Sequence, residues 1–273
     1  MSVRRVLVRS ALVLGLLGGA GGAWAGGLLP CGLVVAQPAC QLLVTGGPVL
    51  DTDDLVAVSA VPAADPVRVR TPSGRLYATT IEVAEPDDLR AWWDAVLDPG
   101  VELVARDRLV PPGQDLADVA RAGSAAMVEA QERAARLALA TAGVSDRADV
   151  AFATDGVGGP SAGLMLAIAV AARVGGEDPT APGLVVAGTG ALADDGTVVA
   201  VGGVDHKLRA AAALRPDAFL LPVADLPLAR RADVPVAVLL VPVADLDDAL
   251  DAVAQLAAGR VPAGAVPLGA TIP

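Results

Sequence analysis

Apolar residues follow three different rhythms along this chain. From Val6 to Leu29 they run almost unbroken, with one charge at Arg9. Further on, Val67-Arg68-Val69-Arg70 alternates with period two, and Leu76–Val83 is rich in Thr, Ile and Val. With Pro72-Ser73-Gly74 between them, these two runs predict a hairpin that opens the folded domain. A helical rhythm then takes over. Pro86-Asp87-Asp88 opens a helix with Leu89, Trp92, Val96 and Leu97 on one face. The Trp92-Trp93 pair is read as core or half-buried packing rather than as a partner-binding or membrane-interface pair. After the break at Val110-Pro111-Pro112-Gly113, a long helix is predicted from Leu116 to Ala142, with Met127, Ala130, Ala134, Leu137 and Ala138 at helical spacing. Gly143 serves as its stop.

The second half alternates strand and helix. Val150–Ala153 reads as a short strand. Ser161–Val174 is apolar almost all round (Leu164, Met165, Leu166, Ile168, Val170), the mark of a buried helix too short for a membrane span. Strands are expected at Leu184–Gly188, Val198–Val201, Ala218–Leu221 and Val236–Val241, and helices at Asp205–Leu214 and Leu246–Ala258. This alternation predicts a mixed α/β (α+β) domain over residues 67–258. Residues 31–66, with turn signals at Gly46-Gly47-Pro48 and Asp51-Thr52-Asp53-Asp54, read as a linker and N-terminal extension. Residues 259–273, uncharged after Arg260 and rich in Pro and Gly, read as a flexible tail.

Composition sharpens the outline. The chain is 54% hydrophobic but only 2% aromatic, so its core must be built from Ala, Val and Leu. A net charge of -11 argues against nucleic acid as a partner. At the N-terminus, Arg4, Arg5 and Arg9 precede a stretch free of charge from Ser10 to Leu50. Residues 1–30 therefore predict a single transmembrane or signal-anchor helix, with the remainder outside the cytoplasm. Ala23-Trp24-Ala25 also has the form of a signal-peptidase site, which would release a secreted protein. The apolar character continues past it through Leu28 and Leu29, which favours the anchor. Cys31 and Cys40 would lie just outside the membrane, where a disulfide can persist, though two inert thiols fit the sequence equally. No metal site is expected from one histidine and two cysteines so placed.

The candidate chemistry lies between residues 155 and 214. Of the 20 basic residues, 19 are arginine and Lys207 is the only lysine; His206 is the only histidine. Arginine stays protonated in proteins, whereas a desolvated lysine can lose its proton. Forty-six residues before Lys207, Gly158-Gly159-Pro160-Ser161-Ala162-Gly163 puts a serine at the start of the buried helix. Unpaired N–H groups and a positive dipole there suit an oxyanion. Gly202-Gly203-Val204-Asp205-His206-Lys207 repeats the arrangement, and partial burial at a helix start disfavours the ammonium form of Lys207. His206 is a rival base, and the residues alone do not separate the two. Asp194 and Asp195 are explained by the Asp-Gly turn they form. Gly159-x-Ser161-x-Gly163 also fits the nucleophile elbow of α/β-hydrolase esterases, but the lone histidine comes too early for that order. No P-loop is present, so no ATP is expected.

Taken together, the segments around Ser161 and Lys207 resemble the proteolytic domain of Lon-type Ser/Lys peptidases. They are most similar to the YlbL-like membrane-anchored Lon-like proteases. The resemblance implies a Ser161 nucleophile and a Lys207 general base. It also implies that Thr189, in Gly188-Thr189-Gly190, hydrogen-bonds that lysine. Gly159, Pro160, Ala162, Gly202 and Gly203 would shape the site, with no cofactor. An ATP-independent serine endopeptidase of the bacterial cell membrane would follow, acting on polypeptide substrates outside the cytoplasm and able to assemble as a homo-oligomer. An interaction module on the same scaffold, without catalysis, is the alternative of a different class. This chain departs from the family at three places. Asp205 and His206 replace Lys and Glu of Lon proper, and Gly158 replaces an acidic residue. The third is that no PDZ domain fits between Gly143 and Ser161.

Overall fold

The computed structural model describes residues 31, 38–62, 66–174 and 176–269. The segment read as a membrane anchor lies outside these residues; among those described, no helix is long and apolar enough to cross a membrane. The protein is a mixed α/β structure. Its first elements are β1 (Gln41–Asp51), α1 (Thr52–Leu55), β2 (Val56–Ala60) and β3 (Arg75–Ala84). Next come α2 (Leu89–Leu97), β4 (Glu102–Ala105), α3 (Arg106–Leu109), α4 (Leu116–Thr141) and β5 (Ala148–Phe152). Then follow α5 (Gly163–Val174), β6 (Val185–Gly188), β7 (Ala191–Leu192), β8 (Val198–Val199) and α6 (Val204–Ala211). The chain closes with β9 (Ala218–Pro222), α7 (Leu226–Ala229), β10 (Val238–Val243), α8 (Leu246–Ala257) and β11 (Val266–Leu268).

The described residues fall into two compact units: those up to Thr45 with Glu82–Asp115, and those of Gly46–Ile81 with the residues from Leu116 onward. The larger unit is organised by strands in the order β11-β10-β9-β6-β3, with β1 beyond β3. The pairs β3/β6, β6/β9 and β9/β10 are parallel, and β11 is antiparallel to β10. All five residues of β9 are buried because both faces of this sheet are covered, as a parallel sheet requires. On one face Leu220 joins the cluster built by α5, with α4 and α8 around it. On the other, Phe219 and Leu221 pack with Val204, Leu208 and Ala211 of α6. Each of the twelve residues of α5 is buried, as its all-round apolar sequence predicts.

Several expectations are corrected. The period-two run Val67–Arg70 is not a strand. Instead Arg70 N–H donates to the Arg173 carbonyl at 3.0 Å and its guanidinium to Gly176. Residues 31–66 are not only a linker, since they carry β1, α1 and β2. Gly46 and Gly47 mark close packing within β1 rather than a turn. A Cβ on Gly46 would stand 2.7 Å from the His206 carbonyl oxygen, and one on Gly47 2.4 Å from Thr80 Oγ1. The tail is partly ordered, as Val266–Leu268 add β11 to the sheet edge in register with β10.

In the smaller unit, the first part of β1 pairs antiparallel with β4, from Gln41↔Ala105 to Val44↔Glu102. Helix α2 is capped by Asp88, whose carboxylate accepts from Ala91 N–H at 2.7 Å. Its buried side is Trp92 and Ala95, not the predicted Leu89, Trp92, Val96 and Leu97 face. Trp92 Nε1–H donates to Gln41 Oε1 at 2.6 Å. Cys31 and Cys40 form a disulfide, with 5.4 Å between their Cα atoms.

Candidate catalytic site

Strand β5 ends at Phe152 and the chain turns back toward α5 through a glycine loop. Gly159 sits at φ 86°, ψ 154°, a backbone shape that side chains disfavour. Its N–H donates to the carbonyl of Gly123 in α4 at 2.8 Å. A Cβ on Gly158 would meet the Gly123 carbonyl carbon at 3.3 Å, so the loop lies directly against the helix backbone. Pro160 then starts a 3-10 turn, Pro160–Ala162, that leads into α5. Proline suits that first position because it has no N–H to leave unpaired. Ser161 comes out half-buried, with Ala162 buried behind it.

Thr189 follows directly on β6 and is fully buried. Its N–H donates to Leu220 O at 3.0 Å, and Thr79 Oγ1–H donates to Gly188 O at 3.0 Å, which pins the end of the strand. Thr189 Oγ1–H donates to the Ser161 carbonyl at 3.1 Å, beside Gly190 N–H at 2.8 Å. The hydroxyl proton being spent there, its oxygen is left to accept. It does so from Lys207 Nζ at 3.1 Å. Ser161 and Lys207 are therefore joined through Thr189, rather than by a direct hydrogen bond from hydroxyl to amine.

Lys207 comes from α6, which begins after Gly202 and Gly203. Gly202 is exposed, and Gly203 caps the helix in the left-handed region at φ 65°. The lysine side chain is only 2% exposed. Burial pushes its ammonium from the usual 10.5 down to about 8, opposed by the charge of Asp225. Asp225 is itself buried and accepts from Val201 N–H at 2.9 Å, in the segment leading to Gly202. His206, also buried, has its Nδ1 3.4 Å from Arg209 Nη2 and its Nε2 3.9 Å from Asp205. Of the two adjacent basic residues, Lys207 is the one bonded to Thr189.

The topology explains the convergence. Helices α5 and α6 lie on opposite faces of the sheet, and both begin near the carboxyl ends of its parallel strands, where sites in such sheets form. The expected residues Ser161, Thr189 and Lys207 meet there. Asp194 does not join them: it pairs with Arg133 and Arg136, each at 2.8 Å, and Asp195 accepts Thr197 N–H as a turn residue. Two contributors escaped the sequence reading. Asp225 carried no motif, and Gly123 looked like one more small residue in an Ala-rich helix. Among the described residues, no group of three His, Cys, Asp or Glu side chains could hold a metal ion. Comparison with protein-family models and with curated proteins finds no match for this chain.

Proposed function

We propose that this protein is an ATP-independent serine endopeptidase with a Lon-type proteolytic fold, tethered to a membrane by residues 6–29 and acting outside the cytoplasm. The observation that carries the reading is the bonded chain Ser161–Thr189–Lys207, with a buried lysine beside a half-exposed serine. Three residues separated by 28 and 18 positions meet in a pattern that suits acyl transfer.

In this reading the neutral amine of Lys207 takes the proton of Ser161 Oγ as that oxygen bonds to the substrate carbonyl carbon. The N–H groups of Ser161 and Ala162, in the turn ahead of α5, serve the resulting oxyanion, since those of Gly163 and Leu164 already donate to Pro160 and Gly190. Lys207 then gives its proton to the leaving amine, and the C–N bond breaks. In the second half, water loses a proton to Lys207 as its oxygen bonds to the acyl carbon. The bond from that carbon to Ser161 Oγ then breaks, releasing the acid, and Oγ takes the proton back from Lys207. Thr189 holds the amine throughout. With a pKa of about 8, about a tenth of the lysine is already neutral at pH 7.

A serine-directed covalent probe on the full chain tests this. Labelling is expected in the wild type and is expected to vanish in both Ser161→Ala and Lys207→Ala. Undiminished labelling of Ser161→Ala would show that the reactive serine lies elsewhere.

A further inference from the structure

Helix α2 buries one side and leaves the other bare. Trp93 is 48% exposed, Val96 40% and Leu97 77%, and their spacing of three and four places them on one face. Half-buried Leu89 extends that face by a turn. Their neighbours carry no net positive charge: Arg90 and Asp94 form an ion pair at 3.8 Å, and Asp87, Asp88 and Asp98 are acidic.

A short series of contacts connects this helix to the point where the chain leaves the N-terminal apolar run. That run ends at Leu29, two residues before Cys31. The disulfide holds Cys31 to Cys40, and Gln41 next to it is bonded to Trp92, the residue beside Trp93. The rings of Trp92 and Trp93 meet edge to face, with centroids 4.9 Å apart. Two residues of extended chain reach only about 7 Å, so Cys31 cannot stray far from the bilayer surface if residues 6–29 span it.

We propose that α2 is a second membrane contact, with Trp93, Val96 and Leu97 seated at the boundary between lipid headgroups and acyl chains. The proposal rests on the tethered reading given above. Tryptophan and large aliphatic residues on one helical face suit that zone. Three exposed side chains are too few for a stable protein interface, which needs about 800 Å² on each partner. The acidic neighbours set the lipid class. The contact works by apolar insertion and does not depend on anionic headgroups.

The chain has three tryptophans, Trp24, Trp92 and Trp93, so their emission reports the arrangement. The full chain is reconstituted in phosphatidylcholine vesicles whose acyl chains carry bromine, a quencher. In a Trp24→Phe background, loss of Trp93 emission is expected. The remaining emission of Trp24→Phe/Trp93→Phe, from buried Trp92, is expected to be spared. Leu97→Glu, at an exposed position that folding tolerates, is expected to reduce the quenching of Trp93. Adding anionic lipid is expected to leave it unchanged. If Trp24 is quenched in the wild type but Trp93 is not, the tether stands and the proposal fails. If neither is quenched, the tethered reading fails and the proposal with it. Shielding of Trp93 that grows with protein density and ignores bromine would overturn the proposal in favour of a contact between copies.

Discussion

The two halves of the candidate site are built alike and housed differently. Ser161 and Lys207 each stand near the start of a helix, after a pair of glycines, and each helix packs one face of the same sheet. Yet Ser161 is half-buried, whereas Lys207 is 2% exposed. A nucleophile has to meet a substrate, so it must reach the surface. A lysine base has to be short of solvent, or its ammonium form persists far above neutral pH. A glycine-led helix start, differently shaped at Gly159 and Gly203, therefore serves two opposite electrostatic needs, and depth in the protein makes the difference.

The contrast breaks most sharply at Lys207, the proposed base. Lys207→Arg keeps the charge and removes the ability to accept a proton. Turnover of a peptide substrate is expected to fall by at least about 10³-fold. His206→Ala is expected to retain activity. If the histidine variant is the dead one, the assignment of the base is reversed.

Depth also leaves a mark on stability. The folded pKa of Lys207 is about 8 and the unfolded value 10.5. Between these the unfolded chain binds more protons, so stability is expected to rise with pH across that window. Below pH 8 both states are protonated and the buried ammonium costs about 3 kcal/mol. Lys207→Met should flatten this dependence between pH 8 and 10.5 in urea melts, and should raise stability at pH 7. In the wild type, kcat/KM is expected to rise with pH around an apparent pKa of about 8. Asp225→Asn removes the charge that favours the ammonium form, so that profile should move to lower pH. A shift to higher pH would mean that Asp225 acts on some other group.

Thr189 links the two environments. Thr189→Val removes an acceptor for the buried lysine and a donor to the Ser161 carbonyl. Leaving such partners unpaired costs about 1–3 kcal/mol, so kcat should drop about tenfold to a hundredfold while Thr189→Ser retains most activity. Equal losses in both variants would point to packing rather than hydrogen bonding.

The smallest effect is expected on the serine side. A Cβ on Gly123 would meet the Gly158-Gly159 backbone at 3.5–3.6 Å, an ordinary contact. Gly123→Ala should therefore stabilise α4 by up to about 1 kcal/mol, seen as a higher Tm, with kcat/KM within about twofold. A large loss of activity would show that the loop needs more freedom there than its geometry suggests.

Much of this could be read from the residues. Helices α4, α5 and α8 fall within a residue or two of their predicted spans, because an amphipathic or wholly apolar run reports its own burial. Strands were harder. Val67–Arg70 has the alternation of a strand but joins no sheet, while Gly46-Gly47-Pro48 has the look of a turn and lies inside β1. Glycine marks a tight bend and a close approach with the same letter, and only the neighbour tells which. On α2 the helical period was right and the buried face was not. Trp92 and Ala95 face inward, because hydrogen bonding to Gln41 turns Trp92 toward the strand.

By itself, the sequence determined the alternation of elements, the apolar helix behind Ser161 and the two glycine-led helix starts. These are local matters, decided within a few residues by backbone sterics and hydrophobic period. The tertiary structure alone decided how deeply Lys207 is buried, that Asp225 lowers the cost of the buried charge, and that Trp93, Val96 and Leu97 stay exposed. Such properties depend on groups distant in sequence, because desolvation, charge and hydrogen bonding act through space rather than along the chain.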